Sequence, residues 1–233
     1  MPPNLETRHM VFALFGAIAL QVGVGLMALH HFGPTEEMSP AMVMFGFMVL
    51  PCGAVIIWLW YAAVWREAQS WAGLGFTRLK RRWLLAAIAL GLFSTPTVML
   101  ITKVAEPIFG PSAGSALPIV SGQAFAQPVY FLAMVLGIAV LSPIMEEIMF
   151  RGLLFGWLRR RFGLWHAGAL AAIADAAIHF DPGALPGLFA LFLLLAWSYE
   201  ISRSLWVPVI VHGIHNFVAL QSIFITMYYQ WFF

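Results

Sequence analysis

Charge is what this chain has least of: only 9% of its 233 residues are Asp, Glu, Lys or Arg, against 62% hydrophobic residues. With a mean hydropathy of +0.88, that shortage excludes a soluble globule, which carries about 25% charged residues. Cysteine is nearly absent as well. The lone Cys52 cannot close an intrachain disulfide and reads as a small buried residue. No internal repeat, low-complexity run or linker separates the chain into parts. The net charge of +2 is largely the basic excess that a membrane topology requires, so no nucleic-acid partner is expected.

What is present in quantity is apolar sequence. Continuous stretches at 10–29, 41–65 and 83–102 each approach or exceed the roughly 20 residues a spanning helix needs. Further spans are expected at 128–150, 166–180, 184–200 and 205–229, of which the fifth and sixth are short. The expected fold is all-α, a polytopic transmembrane helix bundle of about seven spans in the lipid bilayer. The first stretch follows Arg8 and His9 but lacks a small-x-small cleavage site, and is read as a retained helix rather than a secretion signal. The segment 105–127, with its prolines, glycines and serines, reads as a long outer loop. One integrated membrane domain is expected, with scaffold helices and the outer loop in 1–127 and the functional helices in 128–233.

Basic residues gather in cytoplasmic loops. Arg66, Arg78, Lys80, Arg81 and Arg82 lie between spans two and three, Arg159, Arg160 and Arg161 between four and five, and Arg203 between six and seven. With Arg8, all fall on one side of seven spans. Glu36, Glu37, Lys103, Glu106 and Asp181 fall on the other. This predicts an N-terminus in the cytoplasm and a C-terminus outside, with a bacterial-type plasma membrane as the most economical setting.

The polar groups inside the spans are unevenly distributed. The first three carry Gln21 and scattered hydroxyls and look like scaffold. The last four carry Glu146, Glu147 and Arg151, then Asp175 and His179, then His212, His215 and Asn216. Intramembrane ionisable groups are costly, so this many complementary ones imply a shared interior cavity. Consecutive helical residues point about 100° apart while residues four apart share a face, which separates the two adjacent acids. Glu147 precedes Arg151 by one turn, in the favourable acid-then-base order, and can pair with it. Glu146 is left to address the cavity, where a carboxylate beside a histidine can act as a general base toward water. His212 and Asn216 also share a face, with His215 one step round; His215 reads as a supporting residue.

The ordered set Glu146-Glu147-x-x-x-Arg151, a histidine ending the next span, and His212-x-x-x-Asn216 resembles the CPBP family of intramembrane proteases, which includes CAAX prenyl endopeptidases and bacteriocin-processing or immunity proteins. The resemblance covers about 128–220, including Gly152-Leu153-Leu154-Phe155 and Ser204-Leu205-Trp206-Val207-Pro208. It implies endopeptidase activity on a peptide or membrane-protein substrate, with prenylation as a family association. Water would be activated by Glu146 with help from His179, and the oxyanion stabilised by His212 and Asn216. Glu147 and Arg151 would hold the site together. Zinc at Glu146, His179 and His212 is the alternative; the asparagine suits an oxyanion donor better, so no metal or other cofactor is expected.

One position departs from the family pattern, which places an aromatic residue four positions before the second-motif histidine. This chain has Asp175 there. On a helix an acid at that position can contact His179 and orient its ring, or face another cavity. Two readings stand against the protease. In one, the fold is a non-catalytic membrane scaffold, chaperone or immunity factor whose polar cluster is structural. In the other it is a transporter, which the lack of paired repeats opposes.

Overall fold

The computed structural model describes residues 6–33, 42–43, 45–65, 70–112 and 128–232. Among them every regular element is helical. In chain order these are α1 Thr7–Phe32, α2 Phe45–Trp65, α3 Arg81–Phe109, α4 Val129–Arg159, α5 Leu164–Ala177, α6 Leu185–Ser202 and α7 Trp206–Phe232. An all-helical architecture is what the bilayer imposes, since hydrocarbon offers no partner to an unpaired backbone group. Five of the helices, α1, α2, α3, α4 and α6, are long and apolar enough to cross a membrane.

Two expected boundaries move. α5 has 14 residues, about 21 Å at 1.5 Å per residue, so the expected fifth span at 166–180 falls short of a hydrocarbon core about 30 Å thick. Helix α3 runs on to Phe109 rather than stopping before the predicted loop at 105. Lys103 and Glu106, assigned to an outer loop, instead form an ion pair at 2.5 Å one turn apart on the helix. The helix stops at Gly110, whose φ of +81° suits glycine and whose N–H closes on the Glu106 carbonyl at 2.8 Å. The rest of that expected loop, 113–127, lies outside the described residues, as do Arg66, Glu36 and Glu37.

The remaining basic groups come together at one end. Thr7, at the start of α1, accepts from Trp157 and from Arg161, each at 3.2 Å. Thr77 donates to the Arg203 carbonyl at 2.8 Å, and the Leu205 N–H bonds the Gly75 carbonyl at 2.7 Å. One apolar cluster joins the two halves of the chain, running from Met10 and Cys52 to Ile148, Ala171 and Leu205.

Small residues let α7 approach its neighbours closely, as membrane helices require. A Cβ on Gly213 would stand 2.7 Å from the Ala139 carbonyl of α4, and one on Gly91 of α3 would stand 2.7 Å from the Ile214 Cβ. The 211–215 turn is therefore clamped between α3 and α4. Gly213→Val is expected to force α4 and α7 apart at a cost of about 1–3 kcal/mol, read as a lowered unfolding midpoint in a detergent titration. An unchanged midpoint would show that the contact is not tight.

Candidate active site

The segment Ser142–Phe155 supplies most of the charge in the core of α4. Pro143 breaks regular backbone bonding there, and the helix continues through wide turns over Ile148–Phe155. Such turns shift side-chain directions and recur at functional sites. Glu146, Glu147 and Arg151 are 6%, 0% and 1% exposed, and their neighbours Asp175 and His212 are 0% and 2% exposed. None of them faces lipid, so their partners must be internal.

Arg151 is the hub. Its Nη1 donates to Glu147 Oε1 at 3.1 Å and to Asp175 Oδ2. Its Nη2 donates to the Phe192 carbonyl of α6 at 3.0 Å, and its guanidinium lies 5.1 Å from the Phe192 ring centroid. The i, i+4 pair expected of Glu147 and Arg151 is thus formed. Glu147 Oε1 also accepts from His212 Nδ1 at 2.9 Å. A carboxylate only accepts, so the proton of His212 sits on Nδ1 and Nε2 presents its lone pair. That Nε2 stands 3.8 Å from Glu146 Oε2.

Glu146 is held from the other side, its Oε1 accepting from the Ser142 hydroxyl one turn earlier. Its Oε2 is buried with no hydrogen-bond partner among the described residues. Glu147 Oε2 is likewise without a partner among the described residues, so what separates the adjacent acids is their bonding: Glu147 is tied to an arginine and a histidine, whereas Glu146 is held only by the Ser142 hydroxyl and faces His212 Nε2. Ser142→Ala removes a buried hydrogen bond to the Glu146 carboxyl group, worth about 1–3 kcal/mol, and is expected to lower the unfolding midpoint in a detergent titration; an unchanged midpoint would show that the bond contributes nothing to the fold.

Asp175 does not do what its spacing from His179 suggested. Its carboxylate turns into the bundle to Arg151, and His179 Nδ1 instead donates to the Asp175 backbone carbonyl at 3.0 Å. The reason lies in the helix end. His179 lies just beyond α5, where the last carbonyls lack intrahelical partners and accept from side chains. The buried guanidinium of Arg151 meanwhile takes the Asp175 carboxylate as its partner.

His179 reaches the centre through Phe192, their ring centroids 5.4 Å apart, and the same phenyl ring stands 5.8 Å from His212. Asn216 donates to the Ile138 carbonyl of α4 at 2.9 Å, which leaves its second amide N–H available. His215 faces the other way, its Nδ1 3.0 Å from the Ser94 hydroxyl of α3. The structure thus brings Glu146, Glu147, Arg151, Asp175 and His212 into one network. It sets His179 and Asn216 at the margins and His215 on a separate bond to α3.

Phe192, Ser142 and Ser94 carry contacts that residue types alone did not flag. Ser142 was within reach of the reading, four positions before Glu146, whereas nothing marks Phe192 among twenty phenylalanines. A zinc ion on Glu146, His179 and His212 would require those donors to converge. Among the described residues no three His, Cys, Asp or Glu side chains are grouped to hold a metal; the His179 bond to the Asp175 carbonyl uses Nδ1 and leaves Nε2 out of that contact.

Residues 128–218 match the family model described as Type II CAAX prenyl endopeptidase Rce1-like. That range holds every residue of the network and both marginal groups. The chain is also 29% identical over 91 residues to the Bacillus subtilis (strain 168) protein named "Putative membrane peptidase YdiL". The match covers 39% of this chain and 37% of that protein, well under half of its length. No solved structure matches the chain. Through the helices that assemble this buried acid–arginine–histidine network, α4 to α7, the chain is similar to the Rce1-like family of membrane proteases.

Proposed function

We propose that the chain is an intramembrane endopeptidase in which Glu146 activates water. The observation that carries this reading is the buried, unpartnered Glu146 Oε2 facing His212 Nε2 across 3.8 Å, a separation that one water can bridge. Glu146 takes a proton from that water as its oxygen bonds the peptide carbonyl carbon. The C–N bond then breaks, and the departing amine takes the proton back from Glu146. Glu147 fixes the His212 ring through Nδ1 and turns Nε2 toward Glu146 and the water, so in this reading His212 orients the water as an acceptor and does not supply the oxyanion bond expected of it. Asn216, anchored through Ile138, gives its second N–H to the oxyanion, and His179 assists at the cavity margin. The substrate is a peptide or membrane protein; the Rce1-like match makes prenylated peptides the first ones to assay. The basic end of the bundle is proposed to face the cytoplasm of a bacterial-type plasma membrane, with no nucleic-acid partner.

The test is a comparison of membrane-protein termini in cells carrying the parent chain or Glu146→Ala. New termini that appear only with the parent support a protease. Identical sets of termini, with equal rescue of a cellular phenotype by both chains, would favour the non-catalytic scaffold. Ion-coupled uptake in proteoliposomes would favour a transporter.

A further inference from the structure

A cavity of about 460 Å³ opens at the basic end of the bundle, where Thr77, Arg159, Arg160, Tyr199, Glu200 and Arg203 contribute to its wall. None of the network around Glu146 lines it, and Arg159 follows Glu146 by about three turns of α4. Two guanidinium groups share one carboxylate there: Arg159 and Arg203 both donate to the same oxygen, Glu200 Oε1, at 3.3 and 3.0 Å, so the acid holds the two cations side by side at the cavity wall. Arg159 Nε is buried with no hydrogen-bond partner among the described residues, although buried donors are almost always satisfied.

Arg203 adds an independent sign. It ends α6 with φ +56°, a left-handed conformation that glycine adopts without strain and that a side-chain-bearing residue keeps only when its surroundings hold it. The holding contact is the Thr77 hydroxyl on its carbonyl, at 2.8 Å. An arginine where a helix end favours glycine indicates that its side chain is used. Trp71 and Trp206, each 40% exposed, flank Phe76 in a run of edge-on ring contacts at this same end. Exposed tryptophans of that kind sit at headgroup level.

We propose that this cavity binds a phosphate group, the anion whose geometry matches paired guanidinium forks, supplied by an anionic phospholipid headgroup or by free phosphate. The two guanidinium groups held on one carboxylate and the Arg159 Nε without a partner among the described residues call for an acceptor anion, and basic pockets between membrane helices at a leaflet surface take lipid headgroups. The proposal does not depend on the peptidase reading.

The test uses the purified full chain, with retention of phosphatidylglycerol, phosphatidylcholine and inorganic phosphate measured by native mass spectrometry. Retention of phosphatidylglycerol over phosphatidylcholine, without phosphate, assigns the lipid source; retention of phosphate as well assigns the bare anion. In either case the double variant Arg159→Gln/Arg203→Gln should lower affinity at least tenfold, as expected for lost charge-assisted bonds. Arg203→Gln alone, which leaves the Arg159–Glu200 bond in place, should lower it severalfold and covers the possibility that the double variant misfolds. Equal retention of the two lipids without phosphate binding, or equal affinity in the parent and Arg203→Gln, would overturn the proposal.

Discussion

Glu146→Gln is expected to abolish peptide cleavage, lowering kcat by about 10²–10⁴-fold, the usual contribution of a positioned general base, while leaving the fold intact. The substitution is nearly isosteric and can still accept the Ser142 hydrogen bond at one oxygen. What it removes is the proton acceptor at Oε2, the atom that stands buried without a partner 3.8 Å from His212. In its place stands an amide, which cannot take a proton from water at neutral pH. Purified parent and variant would be assayed on quenched and prenylated peptides, with detergent unfolding midpoints measured alongside. Cleavage by a folded Glu146→Gln chain at the parent's rate would end the case for this carboxylate as base.

The second large effect is on stability. Arg151→Met is expected to destabilise the bundle by about 3–5 kcal/mol, the range seen when one partner of a buried ion pair is removed. The loss is amplified here because Arg151 faces two acids, Glu147 and Asp175, at 1% exposure or less. The same imbalance fixes the sign of the converse experiment. Asp175→Asn removes one of two acids from a single arginine and retains a hydrogen-bond acceptor of the same shape, so its effect should stay within about 1 kcal/mol of the parent and can be stabilising. Unfolding midpoints of the two variants would separate these outcomes. Equal, large losses from both would mean that Arg151 needs the full charge of Asp175 as well as that of Glu147.

Much of the site was legible from spacing. Glu147 and Arg151, four apart on one helix, had to share a face, and they do bond; Glu146, displaced by about 100°, had to look elsewhere. His215, one step round from His212, stands outside the network on a bond to Ser94 of α3. The same logic failed for Asp175 and His179. It treated a helix end as a helix interior, where side chains four apart meet, and could not know that a guanidinium from α4 would take the acid instead. Phe192 was beyond any spacing argument, because its role comes from lying on α6 opposite three other helices.

By itself, then, the sequence determined the setting and the local pairings. A chain with so few charges must place them away from lipid, and helix geometry orders neighbours within a single span. Only the tertiary structure decided which distant groups meet: that His212 bonds Glu147 through Nδ1 and turns Nε2 to Glu146, that Asp175 belongs to Arg151, and that Asn216 hangs from Ile138. Those choices depend on how closely α4, α5, α6 and α7 pack and how each is rotated. The rotation is set by side-chain volumes across the whole interface, such as the bare Gly213 against Ala139, and periodicity within one helix does not encode it.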